Sequence, residues 1–510
     1  MSRTFSFFVL AGHLIAIFAG TAAAQITAAA PSQVNFTNQL FATGPAPAGV
    51  VSGDFNRDGH PDLAVTDSTA NRVTILLGQG GGNFTFGTDI NTNVGPHQII
   101  TADLNQDGIL DLAVANDSGS TITILLGNGD GTFRHGTAVQ LGANNHAVAI
   151  AAADFDRSGR LQMAVVQCDL DTNCGLKIYK SNAAGTFTLF QNVPPPPGMT
   201  SFLVFKDGLI AIADFNLDGL PDVVAGAAEQ IFVYTDTARG TLQLKASLTP
   251  PTSPSIQGLA VGALDGNNTL DIVVRTLDFK GVGGLPNSET IYANNGAAAF
   301  TLKSTLQVCC LLNGVGIVAT GDINGDLFSD VASASNLSAN PGVQYALGAG
   351  NGIFGAPQPV FLSAAHDSPM VVEGGGQGSM LVRDLDGDSR HDLVVTSIGV
   401  NGSGVGTWIF HNTDAATNCA APGSGTVNVN ICSPANNANV PASFTVLASG
   451  NAPAGIKRLE IWVDGTKRAE TLNDQFRGTI TLTPGSHRLT VVGVDQFDAL
   501  FKKPITLNVQ

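Results

Sequence analysis

The sequence predicts an all-β protein: a seven-bladed β-propeller followed by a small immunoglobulin-like β-sandwich. Three observations lead there. An acidic nine-residue unit recurs seven times, with starts about 50 to 60 residues apart. Each unit sits among short apolar runs separated by glycine-rich turns. The acidic repeat then stops, and residues 426–510 show a different alternation of apolar and polar positions.

The repeat is clearest in its complete copies. Asp54, Asn56, Asp58 and Asp62 occupy positions one, three, five and nine of the first unit. Asp103, Asn105, Asp107 and Asp111 do so in the second, and Asp214, Asn216, Asp218 and Asp222 in the fourth. The sixth unit has Asp322, Asn324, Asp326 and Asp330; the seventh has Asp384, Asp386, Asp388 and Asp392. Two copies are worn. The third, from Asp154, carries Ser158 and Gln162, and the fifth begins at Ala263.

Around the second unit, a strand is expected at His97 to Ala102, then the acidic loop, then strands at Leu112 to Ala115 and Thr121 to Leu126. A glycine-rich turn, Gly127 to Gly131, leads to a fourth strand from Phe133. Four short antiparallel strands with tight turns make a propeller blade. The seventh unit has only three strands, ending near Trp408 to His411. A spare strand, within residues 34–42, lies before the first loop, where it can complete the last blade. Closure of this kind removes exposed sheet edges. The ring is thus assigned to residues 25–413, a linker to 414–425, and the sandwich to 426–510.

The loops suit a hard cation. Calcium takes about 6–8 oxygen ligands. Positions one, three, five and nine offer side-chain oxygens, and a carbonyl near position seven adds another. Glycine at position six permits the left-handed turn that wraps the chain round an ion. The five intact loops hold sixteen aspartates. Two like charges about 4 Å apart repel by ~1 kcal/mol in water and ~4 kcal/mol at an effective dielectric of 20. A bound Ca2+ relieves that repulsion. Magnesium demands a small octahedron and retains water. An EF-hand is excluded, because the twelfth position of the first loop is Val65 and lies in a strand. About five calcium sites are expected, with the loops at Asp154 and Ala263 weak or empty. The sixth and seventh loops lack the position-six glycine, having Leu327 and Ser389.

These loops, followed by Leu-Ala-Val-type strands, resemble the FG-GAP (VCBS-type) repeat family. Asn83-Phe-Thr-Phe-Gly87 and Ile353-Phe-Gly355 fit the same pattern. The resemblance covers residues 34 to 413 and implies a propeller similar to that of integrin α subunits, with calcium loops in the blade hairpins. It says little about ligand, since the family includes adhesins, lectin-like proteins and enzyme-associated domains. Residues 426–510 look like a bacterial Ig-like domain. Asp464-Gly465 marks a hairpin between Ile461-Trp-Val463 and Lys467-Arg-Ala. Trp462 is read as a core residue.

The ends and composition set the compartment. Arg3, the apolar run Phe5 to Ala19 and Ala22-Ala23-Ala24 read as a signal peptide over 1–24, too short to span a bilayer. The expectation is a secreted protein, extracellular, cell-surface or periplasmic, with no membrane span after cleavage. Six cysteines can then pair. Cys168 with Cys174 and Cys419 with Cys432 are plausible bridges; Cys309 and Cys310 are adjacent. Lys and Arg total 24 against 40 Asp and Glu, which argues against a nucleic-acid partner.

No catalytic motif is visible, and no catalytic residue is assigned. His97, His146, His366 and His391 are scattered between blades, and His60 and His391 sit inside acidic loops, where solvated turn positions are expected. The sequence therefore points to a non-catalytic adhesion, recognition or surface scaffold protein with an extracellular protein or glycan ligand. The alternative is a lectin or a polysaccharide-active hydrolase or lyase on the same scaffold.

Overall fold

The computed structural model describes residues 34–510, leaving out 170–172, 183–184, 198–201, 204–208, 228, 238–239, 252–254, 278–287, 308–315, 336–341, 361–378, 389, 401–402, 414–418, 420–426 and 453–454. The signal-peptide region, Cys309, Cys310, His366, Ser389 and most of the linker lie outside the described residues.

Every regular element among the described residues is a strand. Seven antiparallel sheets of four or five strands precede the sandwich. In the first, Pro47–Gly53, Asp62–Asp67, Arg72–Gly78 and Phe84–Asn91 pair in chain order. The second strand of each sheet begins at position nine of its acidic loop: Asp62, Asp111, Gln162, Asp222, Asp271, Asp330 and Asp392. The loop is therefore the connection between the first and second strands of every blade.

The first strands neighbour one another in succession round the molecule, and Met380–Arg383 of the seventh sheet returns to Pro47–Gly53 of the first. The ring is closed in two ways. Phe36–Phe41 pairs antiparallel with Ser403–Asn412, from Phe36 opposite Asn412 to Phe41 opposite Thr407. Behind that pairing, Val50, Leu63 and Val65 of the first sheet share a core with Leu385, Val394 and Ile409 of the seventh. The other cores also lie between blades, as where Phe55, Ala64 and Ile75 meet Leu110, Leu112 and Val114. A blade buries its faces only against its neighbours.

Gly406 sits at the closing seam with φ of 142°, and a Cβ there would lie 2.1 Å from the Phe41 carbonyl oxygen. Gly406→Ala is expected to cost about 1–3 kcal/mol by overpacking. The check is thermal unfolding beside Gly355→Ala, where the nearest atom to an added Cβ is 3.8 Å away.

The C-terminal unit is a sandwich. Asn428–Ser433, Ser443–Asn451 and Gln475–Thr481 form one sheet. Ala438–Val440, Leu500–Val509, Gly485–Asp495, Ile456–Val463 and Thr466–Thr471 form the other. Val446, Leu459, Ile461, Leu489, Val491 and Leu507 fill the space between them. Asp464 and Gly465 both take positive φ, 50° and 81°, as a tight primed turn requires. Trp462 is a correction: it alternates away from the Ile461 and Val463 core positions, is half-buried, and its Nε1 donates to Glu460 at 2.9 Å. Disulfides join Cys168 to Cys174 and Cys419 to Cys432.

Candidate metal centre

Each acidic loop is a tight coil held by its own carboxylates. In the first, Asp54 Oδ1 accepts the Asp58 N–H at 3.1 Å and Oδ2 accepts the Gly59 N–H at 3.0 Å. Asn56 Oδ1 also accepts from Asp58 N–H, and Asp58 Oδ1 accepts from His60 N–H. The second and fourth loops repeat this set through Asp103, Asn105 and Asp107, and through Asp214, Asn216 and Asp218. The sixth does so through Asp322, Asn324 and Asp326. In the same four loops the position-three amide donates its Nδ2 to the position-five carboxylate, as Asn56 does to Asp58 at 2.8 Å, so the polar side chains of the loop are tied to its backbone and to one another.

Two left-handed residues make the coil, at positions four and six. Arg57 and Gly59 have φ of 62° and 88°, and Leu217 and Gly219 have 58° and 83°. Leu327 takes 69° at position six of the sixth loop without being glycine, while Gly325 supplies position four. Loss of the position-six glycine has therefore not changed the path of the chain there. Position four has a second use. Arg157 Nη2 donates to the Asp218 carbonyl of the next loop at 2.8 Å. Arg57 and Gln106 reach the carbonyls of Gly108 and Gly159 in the same way.

Position nine behaves differently from the other three. Asp62 is fully buried; Oδ2 accepts the Phe55 N–H at 2.8 Å and Oδ1 the Gly78 N–H at 2.7 Å. Asp111, Asp222, Asp271, Asp330 and Asp392 each make the same pair of bonds, one to position two of the loop and one to the end of the third strand. Even Gln162 keeps the first of these, Oε1 accepting from Phe155 N–H at 2.6 Å. The ninth residue is thus a staple across the hairpin. Burial pushes Asp62 and Asp111 up to about 7 and Asp222 up to about 8, and the first- and fifth-position carboxylates add to the rise. Asp330 is driven well above its ordinary value by burial and by Asp322 and Asp326. A positive charge within the loop opposes this cost.

The seventh loop gathers the most carboxylate. Ligand oxygens of Asp384, Asp386 and Asp388 lie within 4.8 Å of one another, and Asp386, Asp392 and His411 form an overlapping group. His411 comes from the third strand, far along the chain from the loop, so spacing did not reveal it. The donor set is all oxygen apart from that imidazole, which fits a hard divalent cation.

The worn loops are filled by side chains. In the third, Lys180 Nζ lies 2.8 Å from Asp156 Oδ2. Despite the opposing effect of burial, hydrogen bonds from Lys180 and Ser158 hold Asp156 far below the usual carboxylate range. Gln162 Nε2 donates to Asp156 Oδ1 at 2.9 Å. In the fifth, Asn267 takes over part of the work, its Oδ1 accepting from Thr269 N–H.

The loop face is not open to solvent on all sides, because the sandwich rests on it. Asp474 meets His391 Nε2 at 2.9 Å, and His391 Nδ1 accepts the Asp322 N–H at 3.0 Å, which fixes the proton on Nε2. His391 is buried, so its reading as a solvated turn residue is corrected. Arg477 Nη1 donates to the Asp326 carbonyl at 3.1 Å and stacks over Phe328. Asn473 Nδ2 meets Ser329 Oγ at 3.3 Å, and Asn268 donates to the Thr479 carbonyl. Phe497 packs against the Phe55 and Leu110 core on the other side of the ring.

Family models match the chain as FG-GAP-like repeat at residues 54–114, 103–165 and 214–274, and as bacterial Ig domain at 428–491. Comparison with curated protein sequences gives no match. Among solved structures, BBS1N in complex with ARL6DN is similar at 13% identity and a TM-score of 0.50, covering 75% of this chain and 98% of that one. A lectin from Agrocybe aegerita that recognises non-reducing terminal N-acetylglucosamine is 17% identical, with a TM-score of 0.42 over 75% of this chain and 100% of its own. The six-bladed fucose-recognising lectin of Aleuria aurantia is 14% identical, with a TM-score of 0.37 over 64% and 99%. At these identities the likeness concerns fold alone. The chain carries FG-GAP-like repeats built into a β-propeller, followed by a bacterial Ig domain.

Proposed function

We propose that this chain is a secreted, calcium-loaded recognition or adhesion scaffold whose propeller binds an extracellular protein or glycan without transforming it. The observation that carries the reading is the seventh acidic loop, where ligand oxygens of Asp384, Asp386 and Asp388 lie within 4.8 Å of one another, in a repeat whose other intact copies carry side-chain oxygens at the same positions of the same kind of coil. Such groups brace hairpins. Calcium would be held by Asp54, Asn56 and Asp58 and by their counterparts in the second, sixth and seventh loops, and it would supply charge neutralisation there.

The ligand surface follows from strand direction. Loops joining first to second strands lie at one end of every blade, and the Ig domain rests on that end. Loops joining second to third strands, and one blade to the next, lie at the other end. Segments such as 67–72, 91–96, 116–121 and 140–145 are rich in Asn, Ser and Thr, which suits recognition of hydroxyl-rich or peptide ligands through hydrogen bonds.

A glycan and matrix-protein array, run with calcium and with chelator, tests the reading. Expected are discrete ligands, unchanged chemically after incubation, whose retention falls in chelator. Turnover of a bound glycan into shorter or unsaturated products would replace this reading with the enzymatic one.

A further inference from the structure

Lys467 is the most deeply buried ammonium at the seam between the two domains. Its side chain is 3% exposed, and its Nζ lies 2.7 Å from Oδ2 of Asp214, the first residue of the fourth acidic loop, itself 4% exposed. Glu470 contacts the same ammonium, and Glu460 Oε1 is 3.6 Å away. Three carboxylates thus surround one three-donor group. Ion pairs to Asp214, Glu470 and Glu460 hold the ammonium in place.

Lys467 holds an oxygen of the loop's first position, one of the side chains that would offer ligands to a metal there. Asp214 Oδ1 accepts the Asp218 N–H at 3.1 Å, and Oδ2 already accepts the Gly219 N–H at 2.8 Å. With Lys467 on Oδ2 as well, little lone-pair capacity on that carboxylate is left. A second cation would also face an ammonium within a few ångströms, and like charges at that distance repel. The same solution appears in the third loop, where Lys180 lies on Asp156. There the sequence already shows wear, in Ser158 and Gln162; in the fourth loop nothing in the local sequence does.

We propose that Lys467 of the Ig domain is a tethered cation that occupies the fourth acidic loop in place of a metal ion, and so clasps the domain to the loop face of the ring. The metal-exclusion half rests on the calcium reading above; the clasp half does not. By this assignment the loop of Asp214, complete in sequence, is metal-free in the assembled chain.

The test uses the full chain. Calcium bound per chain is counted by equilibrium dialysis for wild type, Asp103→Asn and Asp214→Asn. Asp103→Asn should lower the count by one, and Asp214→Asn should leave it unchanged. A loss of one calcium in Asp214→Asn overturns the exclusion. A count of zero in every protein removes the calcium reading itself, and the clasp is then judged in chelator. There, melting temperatures of Lys467→Met, Asp214→Asn and the double variant are compared. Lys467→Met should melt several degrees lower than wild type, and adding Asp214→Asn should restore part of that loss. Strictly additive losses overturn the clasp. Should Lys467→Met fail to fold, Lys467→Gln with and without Asp214→Asn gives the same cycle, and strictly additive losses again overturn the clasp.

Discussion

Asp271→Ala is expected to destabilise the ring by about 3–5 kcal/mol even though its loop is one of the two worn copies. Asp271 is fully buried. Its Oδ2 accepts the N–H groups of Leu264 and Asp265 at 2.9 and 3.0 Å, and its Oδ1 accepts that of Asn294 at 2.8 Å. Alanine leaves these donors without a partner, at about 1–3 kcal/mol for each that remains buried. Part of the loss is offset, because burial pushes Asp271 up to about 7 and the variant no longer has to bury that group. The first position of this loop is Ala263, so calcium hardly enters the comparison. A chain of this length gains roughly 1 kcal/mol of unfolding entropy per degree, so a melting temperature lower by about 3–5 °C is the expected reading in chelator. Asp271→Asn keeps one acceptor oxygen, as Gln162 does in the third loop, and should lose less. Equal melting of wild type and Asp271→Ala would remove the staple from the account of the fold.

That expectation exposes where the sequence was legible and where it was not. The blade pattern could be read because period-two strands and glycine turns are local. The strand Phe36–Phe41 could be read by counting, since the seventh unit lacked a fourth strand. The carboxylates were legible as residue types at fixed spacing, and spacing makes positions one, three, five and nine look equivalent. What separates them is where the N–H partners lie: position one takes its donors from within the loop, as Asp54 does from Asp58 and Gly59, whereas position nine draws one from the far end of the third strand, as Asp62 does from Gly78. The cations of the third and fourth loops were hidden for the same reason. Lys180 lies 24 residues from Asp156 and Lys467 lies 253 from Asp214, so neither belongs to any local pattern. His391 reads as a polar turn residue until Asp474 of the other domain covers it.

Removing calcium should convert the acidic loops into a pH-dependent weakness. Without a cation, burial raises Asp62 and Asp111 to about 7, from about 3.8 in an unfolded chain, and drives Asp330 well above its ordinary value. The folded state therefore holds protons that the unfolded state has released. The contribution of these three groups is greatest below about pH 4 and falls as pH rises through the window from 4 to about 7. If only about one unit of each shift is realised, each loop loses about 1.4 kcal/mol across that window, or ~4 kcal/mol over three loops. Calcium reverses the sign of the argument, because it binds the ionised carboxylates and competes with protons. A site filled at a hundredfold excess over its dissociation constant contributes about 2.7 kcal/mol, and this contribution grows with pH. In chelator, melting temperature should drop by several degrees between pH 5 and pH 8; in millimolar calcium the drop should vanish or invert. Magnesium at the same concentration should restore little, since oxygen positions set by Asx turns do not make a small octahedron. Identical melts in calcium and chelator at pH 8 would sink the metal assignment. A flat pH profile in chelator would show instead that the buried carboxylates ionise in the folded ring at little cost, stabilised by their backbone N–H partners alone.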